Sequence, residues 1–172
     1  AAEPDIAAAF RDRPLVEASL RDTLGSTYAY LGEAELAIAQ HELARKLLEL
    51  KLGPDHPDSL MAVNNLALAF ESAGKLEQAL PLFEQTLELV KAKLGPEHPA
   101  LLSSMNNLAT AYKSAGRLDQ AVQLLEQVLE LRRAKLGADD PSTLNSMNNL
   151  AAAYQYAGKV NQALPLYERA LE

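Results

Sequence analysis

Apolar residues along the chain fall at helical intervals, and the pattern then repeats as a block. Val63, Leu66, Ala67 and Phe70 stand at i, i+3, i+4 and i+7, one stripe of an amphipathic helix. After Gly74 the period resumes with Leu76, Ala79, Leu80, Phe83 and Leu87. The pair recurs at a fixed interval, because Asn64-Asn65-Leu66-Ala67, Asn106-Asn107-Leu108-Ala109 and Asn148-Asn149-Leu150-Ala151 lie 42 residues apart (106 − 64 and 148 − 106). A degenerate copy starts at Asp22-Thr23-Leu24. Gly32, Gly74, Gly116 and Gly158 keep the same spacing and close each first helix, since glycine adopts the left-handed backbone without a Cβ clash. The spacing predicts helices over 14–31, 33–51, 58–73, 75–93, 100–115, 117–135, 142–157 and 159–172. A period of this length marks a stack of two-helix units.

The connections between units have their own pattern. Leu52-Gly53-Pro54-Asp55-His56-Pro57 is followed one period later by Leu94-Gly95-Pro96-Glu97-His98-Pro99, then by Leu136-Gly137-Ala138-Asp139-Asp140-Pro141. Glycine stops each second helix, and Pro57, Pro99 and Pro141 open the next first helix with φ already set. Residues 1–13 read as a lead-in, either a short helix with Pro4 in its first turn and Phe10 against the stack, or the tail of a preceding unit. The units then run 14–57, 58–99, 100–141 and 142–172. Ala37, Ala79, Ala121 and Ala163 occupy one position and let paired helices approach closely. Pro81 and Pro165 sit inside second helices, where a bend is expected.

Composition narrows the function classes. A formal net charge of −7 argues against nucleic acid, which is bound through phosphate-neutralising Lys and Arg. The absence of cysteine excludes disulfides and thiolate chemistry and fits a reducing, cytoplasmic setting. No apolar run approaches the ~18 residues of a membrane span. The first residues, with Glu3, Asp5 and Arg11, do not read as a signal peptide, and the lack of an initiator Met suggests a piece of a longer protein.

Asn-Asn-Leu-Ala-x-Ala-Tyr/Phe, then Ala-Gly-Lys/Arg-Leu/Val-x-Gln-Ala, then the Leu-Glu-rich second helix together resemble the tetratricopeptide repeat. The 42-residue spacing and the Leu-Gly-Pro-Asp/Glu-His-Pro loop resemble the kinesin-light-chain type of that repeat, which also occurs in large bacterial signalling proteins. The resemblance covers about residues 14–172. It implies an all-α, right-handed superhelical solenoid of four helix-turn-helix units, a non-catalytic scaffold whose first helices line a concave groove for a peptide or partner helix. The first repeat departs from the pattern with Asp22-Thr23 in place of the Asn pair.

The same groove follows from geometry. With Val63, Leu66, Ala67 and Phe70 inward, Met61, Asn65, Leu68 and Ser72 point nearly opposite and Asn64 and Glu71 lie on the flank. The corresponding positions are Ser103, Asn107, Thr110 and Ser114 with Asn106 and Lys113, then Asn145, Asn149, Ala152 and Tyr156 with Asn148 and Gln155. Asn costs up to ~0.7 kcal/mol relative to Ala in a helix interior, so these asparagines require a reason. Their amides either hold the backbone of an extended ligand or form a ladder that sets repeat register. Candidate ligand residues are therefore Asn64, Asn65, Asn106, Asn107, Thr110, Lys113, Asn145, Asn148, Asn149 and Tyr156. The kinesin-light-chain resemblance implies acidic cargo, which Lys113 suits and Glu71 and Asp22 oppose. Tyr30 and Tyr156 either stack on a ligand or pack between repeats.

No catalytic motif, cofactor loop or metal set is recognised. His56 and His98 read as caps of the following helices, and His41 as a surface or packing residue. The expected partner is a protein or peptide. The rival reading is a spacer that associates end to end through Leu164, Tyr167 and Leu171.

Overall fold

The computed structural model describes residues 3–95 and 98–171, so Pro96 and Glu97 of the second loop lie outside the described residues. Within that range the chain forms helices α1 Glu3–Ala9, α2 Pro14–Tyr30, α3 Ala34–Leu52, α4 Pro57–Ser72, α5 Leu76–Leu94, α6 Pro99–Ser114, α7 Leu118–Leu136, α8 Pro141–Tyr156 and α9 Val160–Leu171, and no strand among the described residues. The second helices begin one residue later than expected, for a hydrogen-bonding reason. Gly74 takes φ of 71°, and this turns the N–H of Lys75 back onto the Phe70 carbonyl at 2.8 Å. The same closure joins Glu33 to Tyr28, Arg117 to Tyr112 and Lys159 to Tyr154. Each bond satisfies a carbonyl that the helix end would leave open.

The proline loops cap the next helix as expected. His56 Nδ1 accepts from the Asp58 N–H and His98 Nδ1 from the Ala100 N–H, both at 3.2 Å, and the Asp140 carboxylate accepts from the Ser142 N–H at 2.8 Å. Pro57, Pro99 and Pro141 are the first helical residues, where a missing N–H costs nothing. Helices α5 and α9 run on through Pro81 and Pro165.

The chain divides into two compact units, Ala1–Glu97 and His98–Glu172. In the second unit α7 packs on α6, α8 on α7 and α9 on α8. Its core is apolar: Ala109, Val122, Leu125, Leu129, Met147, Leu150 and Tyr154 are buried together.

In the first unit α3 packs on α2, α4 on α3 and α5 on α4. Its α4–α5 pair is equally apolar, with Leu66, Ala67, Ala79 and Phe83 buried. The α2–α3 pair is different, because Glu17, Arg21, Gln40 and His41 are buried there. One period on, Arg21 becomes Val63 and His41 becomes Phe83. Buried charge persists only when paired, and these groups are paired: Arg21 donates to Glu17 at 2.7 Å and to Gln40 Oε1 at 3.0 Å. Gly25, where the later repeats carry Ala67, Ala109 and Ala151, makes room for the imidazole. A Cβ there would lie 2.7 Å from His41 Nε2.

Candidate functional site

The first helices carry their asparagines mid-helix, five and six residues before the buried Phe/Tyr position, about one and a half turns, which holds them on the side away from the core. In the second unit Asn106, Thr110 and Lys113 of α6 meet Asn149 and Ala152 of α8 around a pocket of about 70 Å³ floored by Ala109 and Leu125. Asn106 Nδ2 donates to the Leu102 carbonyl at 2.9 Å, one turn back in its own helix. This leaves its Oδ1 buried without a hydrogen-bond partner. Such an acceptor carries a penalty of about 1–3 kcal/mol. Thr110 Oγ1 is turned to the Asn106 carbonyl at 3.0 Å. Lys113 Nζ stands 5.4 Å from the Tyr156 ring centroid, within cation–π range. Tyr156 itself is 68% exposed.

The pocket does not follow either asparagine column. Asn106 belongs to the flanking column and Asn149 to the one opposite the core, so the pairing is diagonal: a flank position on one first helix meets the position opposite the core on the next. Asn107 is half-buried beside it, and Asn145 and Asn148 are exposed on α8 outside the pocket.

The first unit shows the same diagonal in another chemical state. Asn65 Nδ2 on α4 donates to both oxygens of Asp22 on α2, at 3.0 and 3.1 Å. His41 Nδ1 on α3 meets Asp22 Oδ1 at 2.9 Å. Burial alone would push the Asp22 carboxyl up. The hydrogen bonds from His41 and Asn65 and the field of the His41 ring outweigh it and hold the group below its ordinary 3.8. Asn64, the flanking neighbour, is half-buried.

The Asp22–His41–Asn65 cluster was not foreseen as a unit. His41 packs in the core and is not a surface residue, and the signal that reveals it is Gly25 at a position where every later repeat has alanine. Tyr30 is 91% exposed and packs between no repeats. On the opposite side of the second unit, Tyr154 donates a short hydrogen bond to Glu126. Burial first, then that bond and the Glu126 charge, push its phenol up to about 12.

The tetratricopeptide repeat profile matches residues 15–92, 61–134 and 111–172. The chain is a tetratricopeptide repeat protein. Two crystal structures of a Podosopora anserina protein named for kinesin light chain, with nearly identical TPR-like repeats, one of them of a point variant, are both 32% identical to it. They superpose with TM-scores of 0.81 and 0.79, over 90% of this chain and 73% of that one. BtubC (BKLC) from P. vanneervenii is 27% identical with a TM-score of 0.80, over 91% of this chain and 63% of its own. No curated protein matches. The fold is the all-α tetratricopeptide solenoid class, with consecutive helices packed on one another within each unit. Proteins of this fold generally serve as non-catalytic protein-interaction scaffolds. No helix of the described residues is long and apolar enough to cross a membrane.

Proposed function

We propose that the second unit binds an extended peptide at the α6–α8 pocket, and that the chain works as a cytoplasmic scaffold built from repeats 14–57, 58–99, 100–141 and 142–172. The observation that carries this reading is the unpartnered Asn106 Oδ1 at a pocket that Asn149 and Lys113 furnish with donors. A peptide N–H meets Asn106 Oδ1, while Asn149 Nδ2 and Lys113 Nζ take the following carbonyl or a side-chain carboxylate. Asn107, Asn145 and Asn148 flank the path, and Tyr156 closes it beside Lys113. For Asn65 the Asp22 bond favours register instead, so the column opposite the core serves two purposes.

A peptide-library screen tests this with three variants: the diagonal Asn106/Asn149→Ala, the column Asn64/Asn106/Asn148→Ala and the column Asn65/Asn107/Asn149→Ala. The diagonal variant is expected to lose binding at an unchanged melting temperature. Binding that survives it, or no binding at all with earlier melting in every variant, overturns the reading. The rival, a spacer that associates end to end, draws on Leu164 and Leu171 of α9, 57% and 88% exposed. Light scattering that shows a monomer at high concentration removes it.

A further inference from the structure

The first unit holds a larger cavity, about 290 Å³, between α2, the end of α3 and the start of α4. Leu15, Leu48, Leu52 and Met61 supply its apolar lining, and Asp22 and Asp58 line it as well. No Lys, Arg or His is among the described residues that line it. The size falls just below the usual ligand range of about 300–1,000 Å³, which suits one long side chain.

This chemistry is confined to the first unit. One and two periods on, Asp58 becomes Ala100 and Ser142, Met61 becomes Ser103 and Asn145, and Asp22 becomes Asn64 and Asn106. Asp22 has accepting capacity left. Its oxygens take two contacts from Asn65 and one from His41, whereas an ionised carboxylate offers about four lone-pair sites. Asp58 lies with Oδ2 3.7 Å from His56 Nδ1, beyond hydrogen-bond length. The carboxyl of Asp22 is held below its ordinary value, so it is charged at neutral pH.

An apolar slot with acids on its wall matches a side chain that is apolar along its stem and cationic at its tip. Arginine and lysine have that form, laying their methylenes on apolar surface while the head reaches charge. We infer that the α2–α3–α4 cavity receives an arginine or lysine side chain of a bound peptide, with its stem along Leu15, Leu48, Leu52 and Met61 and its cation between Asp22 and Asp58. The inference rests on the reading of this chain as a peptide-binding scaffold and adds a charge preference opposite to that of the Lys113 pocket.

Methyl NMR tests it on the whole chain labelled at Met and Ala methyls. Met61 reports on the cavity, Ala109 and Ala152 on the α6–α8 pocket, and buried Met105 and Met147 on folding. The probes are acetylated, amidated pentapeptides Ser-Ala-Xaa-Ala-Ser with Xaa as Arg, Lys, norleucine or Glu. The Arg and Lys peptides are expected to shift Met61 saturably, about fivefold to tenfold more tightly than norleucine. Asp58→Asn is expected to weaken them by a similar factor while Met105 and Met147 stay in place. Equal binding of norleucine, or no loss in Asp58→Asn, overturns the inference. If Ala109 and Ala152 respond to some peptide and Met61 to none, this inference fails and the α6–α8 reading stands. If Met61 alone responds, to Arg and Lys, the inference survives and the α6–α8 reading fails. Silence at all three methyls sinks both.

Discussion

Asp22, His41 and Asn65 in the first unit stand two periods before Asn106, Leu125 and Asn149 in the second, since 106 − 22, 125 − 41 and 149 − 65 are each 84. In the first unit a carboxylate accepts the next helix's amide donor and a ring from below, and the diagonal is closed. In the second, two amides and a leucine line a pocket, and Asn106 Oδ1 is buried without a hydrogen-bond partner. The backbone is the same two-helix unit in both. The difference of one oxygen for one NH₂ at the flank position, and of a donor ring for an aliphatic side chain beneath it, separates a diagonal closed by hydrogen bonds from one that leaves an acceptor unpartnered.

Breaking the closed diagonal should have the largest effect. His41→Leu, which writes the second unit's residue into the first, removes a donor from half-buried Asp22 and is expected to cost about 2–4 kcal/mol. The triple variant Asp22→Asn/Gly25→Ala/His41→Leu carries the whole second-unit set and should recover most of that loss. Urea melts of both proteins decide it, and a triple variant no more stable than the single one contradicts the comparison.

Gly25→Ala alone is expected to cost about 1–3 kcal/mol by overpacking the buried imidazole, against a helix-propensity gain of up to ~1 kcal/mol. Its counterpart Ala109→Gly meets no such ring and should lose only about 0.5–1 kcal/mol. Thermal melts in which Gly25→Ala is the more stable protein would show that His41 yields freely.

Asn65→Ala removes a bond to a charged group and should cost about 1.5 kcal/mol. Asn149→Ala, facing an open pocket, should change stability by less than about 0.5 kcal/mol. Equal losses at the two positions would mean that the second-unit diagonal is also closed.

The smallest effects appear in pH dependence, with opposite signs at opposite ends. Asp22 is depressed in the folded state, so it contributes stability above its unfolded value of 3.8, and this is lost as pH falls through the lower folded value. Acid melts of the triple variant should lack this component. Tyr154 is raised, so its contribution is present below its unfolded value of 10.0 and is lost as pH rises towards about 12. Two periods earlier Phe70 has no hydroxyl to titrate. Ultraviolet titration of Tyr154→Phe should therefore lose a phenol that ionises at about pH 12, and an unchanged curve would contradict this assignment.

Helix positions, glycine turns, proline-opened helices and the His56 and His98 caps all follow from local rules: period, missing N–H groups and left-handed backbone at glycine act within a few residues of one another. Those features were determined by the sequence by itself, along with the repeat family. The diagonal pairing was not, because it joins side chains 43 residues apart from the two different columns that helical geometry separates on a single helix. Only the placement of α2 beside α4, and of α6 beside α8, turns a flank residue towards the residue opposite the core on the next first helix. The burial of His41 was decided there too: a polar ring enters a core only where Gly25 leaves space and Asp22 supplies an acceptor, and neither condition is visible along the helix that carries it.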